Sequence, residues 1–248
     1  IASRADVAPV DWSRRDELGQ LGQHLNEVHS QIDELFDQLE AQKAELEKIA
    51  LHDPLTGLPN RRLFGELTQA AVAAAQRDHG KLALLFIDID QFKRVNDSLG
   101  HQAGDVLLQT LAQRLKQQLR GSDLVARFGG DEFLVLLPGR RPLADVQEVA
   151  SKMLTAVAAP LLLQGRPISV TPSVGIALYP QHATTPSDLI RCADAAMYQA
   201  KQQGRATQRC YDPELGRRAL AALELESQLT QAVARNEFVL HFQPQVRA

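Results

Sequence analysis

Residues 124–137 set two apolar runs, Leu124-Val125-Ala126 and Phe133-Leu134-Val135-Leu136-Leu137, around Arg127-Phe128-Gly129-Gly130-Asp131-Glu132. A glycine pair between such runs predicts a β-hairpin, because glycine reaches the positive φ values that tight hairpin turns need. The turn also bears two adjacent carboxylates, Asp131 and Glu132. Upstream, Phe86-Ile87-Asp88-Ile89-Asp90 closes another apolar run with acidic residues. Two strand ends bearing carboxylates predict a Mg²⁺ site that serves a nucleoside triphosphate. Mg²⁺ takes one or two carboxylates and completes its shell with phosphate oxygens. Either cluster alone reads better as a strand terminus or a solvated turn, so the surrounding sequence decides.

Downstream of residue 50 the pattern alternates strands and helices. Lys81 to Ile89 reads as a buried strand, and Asp105 to Leu119 as an amphipathic helix with Val106, Leu107, Leu111, Leu115 and Leu119 on its apolar face. After the hairpin come a helix near Ala144 to Ala158 and a strand over Ile168 to Leu178. A helix over Ser187 to Gln203 follows, capped by Ser187 or Pro186 at its start and by Gly204 at its end. The order β-α-β-β-α-β predicts an α+β fold, a mostly antiparallel sheet with helices on one face.

Upstream, Leu18, Leu21, Leu25, Val28, Ile32, Leu35, Leu39, Gln42, Leu46 and Ile49 alternate spacings of three and four. Such a seam predicts a coiled-coil helix over residues 18–50, about 48 Å long, that pairs with a second copy. Gln42 within the seam is the type of polar residue that fixes register. At 44% hydrophobic and 23% charged residues, the chain is an ordinary globular one. A net charge of −3 and the lack of a basic stripe give no reason to expect a nucleic-acid partner. Cys192 and Cys210 lack metal-ligand spacing and read as thiols of a reducing compartment. No apolar run approaches a membrane span, and no signal peptide opens the chain, whose abrupt ends suggest a piece of a longer protein.

Several further motifs flank the acidic clusters in order: Leu55-Thr56-Gly57-Leu58-Pro59-Asn60-Arg61-Arg62, Asp88-Ile89-Asp90-Gln91-Phe92-Lys93-Arg94-Val95-Asn96-Asp97 and Gly100-His101-Gln102-Ala103-Gly104-Asp105. After the hairpin come Ser173-Val174-Gly175-Ile176-Ala177 and the run from Ala193 to Arg205. Together these resemble the GGDEF family of diguanylate cyclases over about residues 51–212. The resemblance implies a palm-like α+β domain whose central, mostly antiparallel sheet is flanked by helices, preceded here by the long coiled-coil helix. It also implies a reaction that joins two GTP into cyclic di-GMP across a homodimer. Arg15-Asp16-Glu17-Leu18-Gly19-Gln20-Leu21 resembles the end of a HAMP linker, assigned to residues 1–20. Leu223 to Val246 resembles the first helix and strand of an EAL phosphodiesterase domain, assigned to residues 213–248 without its metal ligands. The whole would be a membrane-anchored bacterial sensor with this part on the cytoplasmic side of the inner membrane.

The resemblance implies a role for each matching position. Asp88, the Ile89 carbonyl and Asp131 would hold Mg²⁺ or Mn²⁺. Asp131 would also help deprotonate the attacking hydroxyl, with Glu132 as its acidic companion. Gly129 and Gly130 would admit the nucleotide close to the backbone. Asn96 and Asp105 would read guanine, since Asp accepts from the N1–H and exocyclic amine that adenine does not offer together; helix capping is the plainer use of both. His101 would shape the ribose or base pocket, or simply pack. Lys93, Lys201 and Arg205 would bind phosphates, although the family's frequent Asn after Gly204-Arg205 is replaced here by Ala206. Arg120 and Asp123, in Arg120-Gly121-Ser122-Asp123, match an inhibitory product-binding Arg-x-x-Asp site. The alternative from another class is a catalytically silent module that binds GTP or cyclic di-GMP and regulates an EAL phosphodiesterase. Retention of Asp88, Asp131, Glu132, Lys93, Lys201 and Arg205 favours the enzyme.

Overall fold

A computed structural model describes residues 17–214 and divides the chain into two units, Ile1–His52 and Asp53–Ala248. The first contains α1 (Glu17–Leu51), one continuous helix of 35 residues. Leu21, Leu25, Val28, Ile32, Leu35, Leu39, Leu46 and Ile49 are all exposed along it. The heptad seam is therefore an apolar stripe that the helix does not cover itself. Arg15 and Asp16 of the HAMP-like run lie outside the described residues, as does the EAL-like run from Leu223 to Val246. Among the described residues no helix is long and apolar enough to cross a membrane.

The second unit runs α2 (Arg61–Arg77), β1 (Leu82–Ile89), α3 (Phe92–Leu99), α4 (His101–Gln117), β2 (Leu124–Gly129), β3 (Glu132–Pro138), α5 (Leu143–Ala158), β4 (Leu161–Leu163), β5 (Arg166–Ile168), β6 (Pro172–Tyr179), α6 (Pro186–Gln202) and β7 (Gln208–Cys210). Five strands form one sheet in the order β2-β3-β1-β6-β7, antiparallel except for the parallel pair β6-β7. The expected hairpin forms, with Gly130 and Asp131 as its turn, Gly130 at φ +49° and Gly129 still paired opposite Glu132.

Helices cover both faces of this sheet, not one. All eight residues of the central strand β1 are buried. Ala83, Leu85, Ile87 and Ile89 pack with Leu107, Leu111 and Leu115 of α4 and Val146, Ala150 and Met153 of α5. Leu82, Leu84 and Phe86 pack with Phe64 and Val72 of α2 and Leu189, Ala193 and Met197 of α6. A near-continuous apolar run such as Leu82 to Ile87 is the pattern of a strand buried on both faces.

Three boundaries differ from expectation. The strand expected over Ile168 to Leu178 is two: β5 pairs with β4 around a turn at Gln164 and Gly165, both at positive φ, and β6 begins at Pro172, whose missing N–H suits a first strand position. α4 begins at His101, so Asp105 lies inside it; its polar first turn hides the start from apolar periodicity. Thr185, not Ser187 or Pro186, caps α6 by accepting from the Asp188 amide, and Pro186 takes the first helical position. α2 and α3 were not legible as helices. Asn60 caps α2 by accepting from the Arg62 and Leu63 amides.

Candidate active site

Strand alternation places the acidic cluster. The parity that turns Leu82, Leu84 and Phe86 toward α6 turns Asp88 to the same side. Asp88 stands opposite Glu132 of β3 and Ser173 of β6. Gly175 lets α6 lie directly on the sheet, since a β-carbon there would collide with the Ala193 carbonyl and Met197 amide. One turn beyond Met197, Lys201 reaches the strand end, where its Nζ lies 2.7 Å from Asp88 Oδ1.

Burial pushes the Asp88 carboxyl above its ordinary range; Lys201 opposes the shift, while Asp131 and Asp90 add to it. Glu132 is raised by burial and then by Asp88, Asp194 and Asp131, and Asp194 on α6 is raised by burial. The strand end thus gathers more negative charge than Lys201 neutralises, and its donors are hard oxygens. Among the described residues no three His, Cys, Asp or Glu side chains are arranged to hold a metal by themselves. A carboxylate pair that leaves coordination positions to phosphate fits Mg²⁺, which binds through one or two carboxylates plus substrate oxygens. Asp131 is half-buried, and its carbonyl accepts from the Ile89 amide at 3.2 Å, which ties the turn to the end of β1.

The turn is braced from a second side. Arg127 Nε and Nη2 donate to the Gly130 carbonyl at 3.0 and 2.7 Å. Its Nη1 reaches both Asp53 oxygens at 3.1 Å. Asp53 also accepts from the Thr56 amide at 2.8 Å and hydroxyl at 2.7 Å. Burial works against its charge, yet these bonds from Thr56 and Arg127 outweigh it and hold the carboxyl below its ordinary range. Sequence reasoning assigned neither Asp53 nor Arg127, although both lie inside or beside motifs it used.

Asn96 of α3 packs against Gly104 of α4, where a β-carbon would collide with its Oδ1. That oxygen is buried and has no hydrogen-bond partner, an acceptor left waiting for a donor. Asp105, next to Gly104, is exposed, as are Lys93 and His101 near the starts of α3 and α4. Arg205 follows α6, with its Nε 4.0 Å from Asp90 Oδ1. Arg120 and Asp123 are not part of this group; they precede β2, at the opposite end of that strand from Gly129. Arg120 is exposed, but the Asp123 side chain is 1% exposed and already engaged. It pairs with the Arg141 guanidinium and accepts from the Arg120 amide at 3.1 Å.

The family profile described as diguanylate cyclase, GGDEF domain, matches residues 50–207. The bifunctional diguanylate cyclase/cyclic di-GMP phosphodiesterase MucR of Pseudomonas aeruginosa is 42% identical over 204 residues, covering 82% of this chain and 30% of the relative. The diguanylate cyclase TpbB of the same species is 45% identical over 194 residues, covering 78% of this chain and 45% of the relative. The chain therefore spans less than half the length of these curated relatives. The solved GGDEF domain of TpbB superposes with a TM-score of 0.66 at 46% identity, covering 68% of this chain and 99% of that one. The coiled coil and GGDEF domain of DgcB from Caulobacter crescentus, in complex with c-di-GMP, superposes with a TM-score of 0.66 at 27% identity, covering 77% and 98%.

Proposed function

The chain belongs to the GGDEF diguanylate cyclase domain family, and from that premise we propose that it condenses two GTP into cyclic di-GMP and two pyrophosphates. The carrying observation is the cross-strand pair of Asp88 and Glu132, with Lys201 on Asp88. Each 3′-oxygen bonds to the α-phosphorus of the opposite nucleotide, the bond from that phosphorus to pyrophosphate breaks, and the hydroxyl proton leaves. Bound Mg²⁺ or Mn²⁺ would supply charge neutralisation at the phosphates, with Asp88, Asp131 and the Ile89 carbonyl as its holders.

The remaining work falls to the chain's own residues. Asp131, assisted by Glu132, accepts the proton of the attacking hydroxyl. Lys93, Lys201 and Arg205 bind phosphate oxygens, and Gly129 and Gly130 leave room for the nucleotide beside the backbone. The partnerless Asn96 Oδ1 and the exposed Asp105 carboxylate suit the donor edge of guanine, and the exposed His101 is assigned to shaping the ribose or base pocket. One domain holds one GTP, so two must face each other. The exposed apolar stripe of α1 suits pairing with a second copy, which raises the effective concentration of one domain for the other.

Product inhibition is assigned to Arg120 and Asp123, with Asp123 leaving Arg141 to accept from the product's guanine. The full-length protein is proposed to be a HAMP-GGDEF-EAL sensor of the inner membrane, in keeping with the two activities in MucR's name. The Asp131→Ala variant tests the chemistry: it should keep its melting temperature while cyclic di-GMP and pyrophosphate vanish from chromatograms of GTP incubations. Retained synthesis would refute the role of Asp131.

A further inference from the structure

Asp90 follows Asp88 by two positions and lies one residue past the end of β1, in different surroundings. Its side chain is 3% exposed. Thr171 Oγ1 donates to Oδ2 at 2.8 Å and Ser173 Oγ to Oδ1 at 2.8 Å. The Ala206 amide donates to Oδ2 at 3.2 Å. The Asp90 amide in turn donates to the Thr171 carbonyl at 2.8 Å. One carboxylate therefore joins the end of β1, the approach to β6 and the segment that leaves α6.

That last segment has an unusual backbone. Gly204, Arg205 and Ala206 have φ of +109°, +61° and +50° in succession. The Arg205 amide donates to the Ala200 carbonyl at 3.1 Å, the six-to-one bond of a Schellman helix end. Such an end requires positive φ only at its glycine. Two further left-handed residues that are not glycine persist only where their surroundings hold them. Ala206 has no side-chain oxygen to support that conformation, so its amide bond to Asp90 is the restraint the structure shows.

We propose that Asp90 is a positioning residue: through the Ala206 amide and the charge facing Arg205 Nε, it fixes where the Arg205 guanidinium meets the GTP phosphates. The inference rests on Arg205 as a phosphate ligand. Thr171 and Ser173 hydroxyls can reverse their roles toward a neutral amide, whereas the Ala206 N–H and the Arg205 guanidinium can only donate. Asp90→Asn therefore strikes selectively at the Arg205 side of the network. Thr171→Val removes one donor and keeps the carboxylate, a milder release of the same anchor.

The test measures binding of 3′-deoxyguanosine triphosphate with Mg²⁺ by calorimetry, since this analogue lacks the attacking hydroxyl and is not turned over. The whole chain is used with Asp90→Asn, Thr171→Val, Arg205→Gln and the Asp90→Asn/Arg205→Gln pair, each checked by thermal melting. Arg205→Gln and Asp90→Asn should each weaken binding about tenfold, Thr171→Val less, and the double variant no more than Arg205→Gln alone. If Asp90→Asn does not fold, weaker binding by Thr171→Val supports the proposal and unchanged binding overturns it. Normal binding by a folded Asp90→Asn overturns it, and so does a further full tenfold loss in the double variant. Unchanged binding by Arg205→Gln overturns the phosphate role of Arg205 and this proposal with it, a result distinct from failure at Asp90 alone.

Discussion

Asp53 and Arg127, 74 positions apart, meet through paired 3.1 Å contacts, and the same guanidinium holds the Gly130 carbonyl. The first residue of the second unit thereby braces the glycine turn that presents Asp131 and Glu132. The side chains of Asp53 and Arg127 are largely shielded from water, so the pair belongs with buried charge-assisted hydrogen bonds rather than surface ion pairs.

Asp53→Asn should lower stability at neutral pH by about 1–3 kcal/mol and turnover by up to about a hundredfold, because the turn loses its brace. The folded-state carboxyl lies below its ordinary value of 3.8. Its contribution is therefore complete above that value and is lost as pH falls through the depressed one. Urea melts of parent and variant should differ steadily above about pH 4 and converge in stronger acid. A gap that persists in strong acid would contradict the bracing role.

Glu132→Gln should lose about a hundredfold or more in turnover while melting slightly above the parent at pH 7. A carboxyl whose folded-state value is raised costs stability where it is ionised. Below its ordinary value of 4.5 it is protonated in both states and the cost disappears. The gain should be a fraction of a kcal/mol after solvent screening, roughly 1 °C, and should close as pH falls through the raised value to the ordinary one. Calorimetric melts across that range check it.

Gly175→Ala should destabilise the domain by about 1–3 kcal/mol or more, because the added carbon meets α6 backbone rather than a movable side chain. The helix must shift, and Lys201 shifts with it, so GTP binding should weaken along with the melting temperature. An alanine variant of parental stability would contradict the close approach of α6 to β6.

Arg120→Ala, not Asp123→Ala, is the clean probe of product inhibition. The Arg120 side chain is exposed, so its removal should leave stability within about 0.5 kcal/mol while weakening cyclic di-GMP binding at least about tenfold. Asp123→Ala should cost about 1–3 kcal/mol, since it strands Arg141 and the Arg120 amide. Titration calorimetry with cyclic di-GMP and urea melts separate the two effects.

The parts legible in the sequence were those written in contiguous residues. The apolar runs announced β1 and β3, Gly129-Gly130 announced the hairpin that joins β2 to β3, and the seam announced α1. The split between β5 and β6 was missed because Ser169-Val170-Thr171 continues the β-rich composition across a break. α3 was missed because it is only eight residues long and its apolar face is just three partly buried residues, Phe92, Val95 and Leu99. Helices on both faces were implied by the continuous apolar run of β1 but read as one layer from element order alone. At the site, motif positions gave Asp88, Glu132 and Lys201, which the fold brings together. Asp53 with Arg127, and Asp90 with Ala206, pair across long stretches of chain, and no local pattern marks such partners.

The most direct measurement incubates this chain with GTP and Mg²⁺ and follows cyclic di-GMP and pyrophosphate across a range of protein concentrations. Two pyrophosphates should be released per cyclic di-GMP, at a rate that rises faster than linearly with protein until the dimer is saturated. Tight GTP binding without product at any concentration would contradict it and would leave a nucleotide-binding regulatory module in its place.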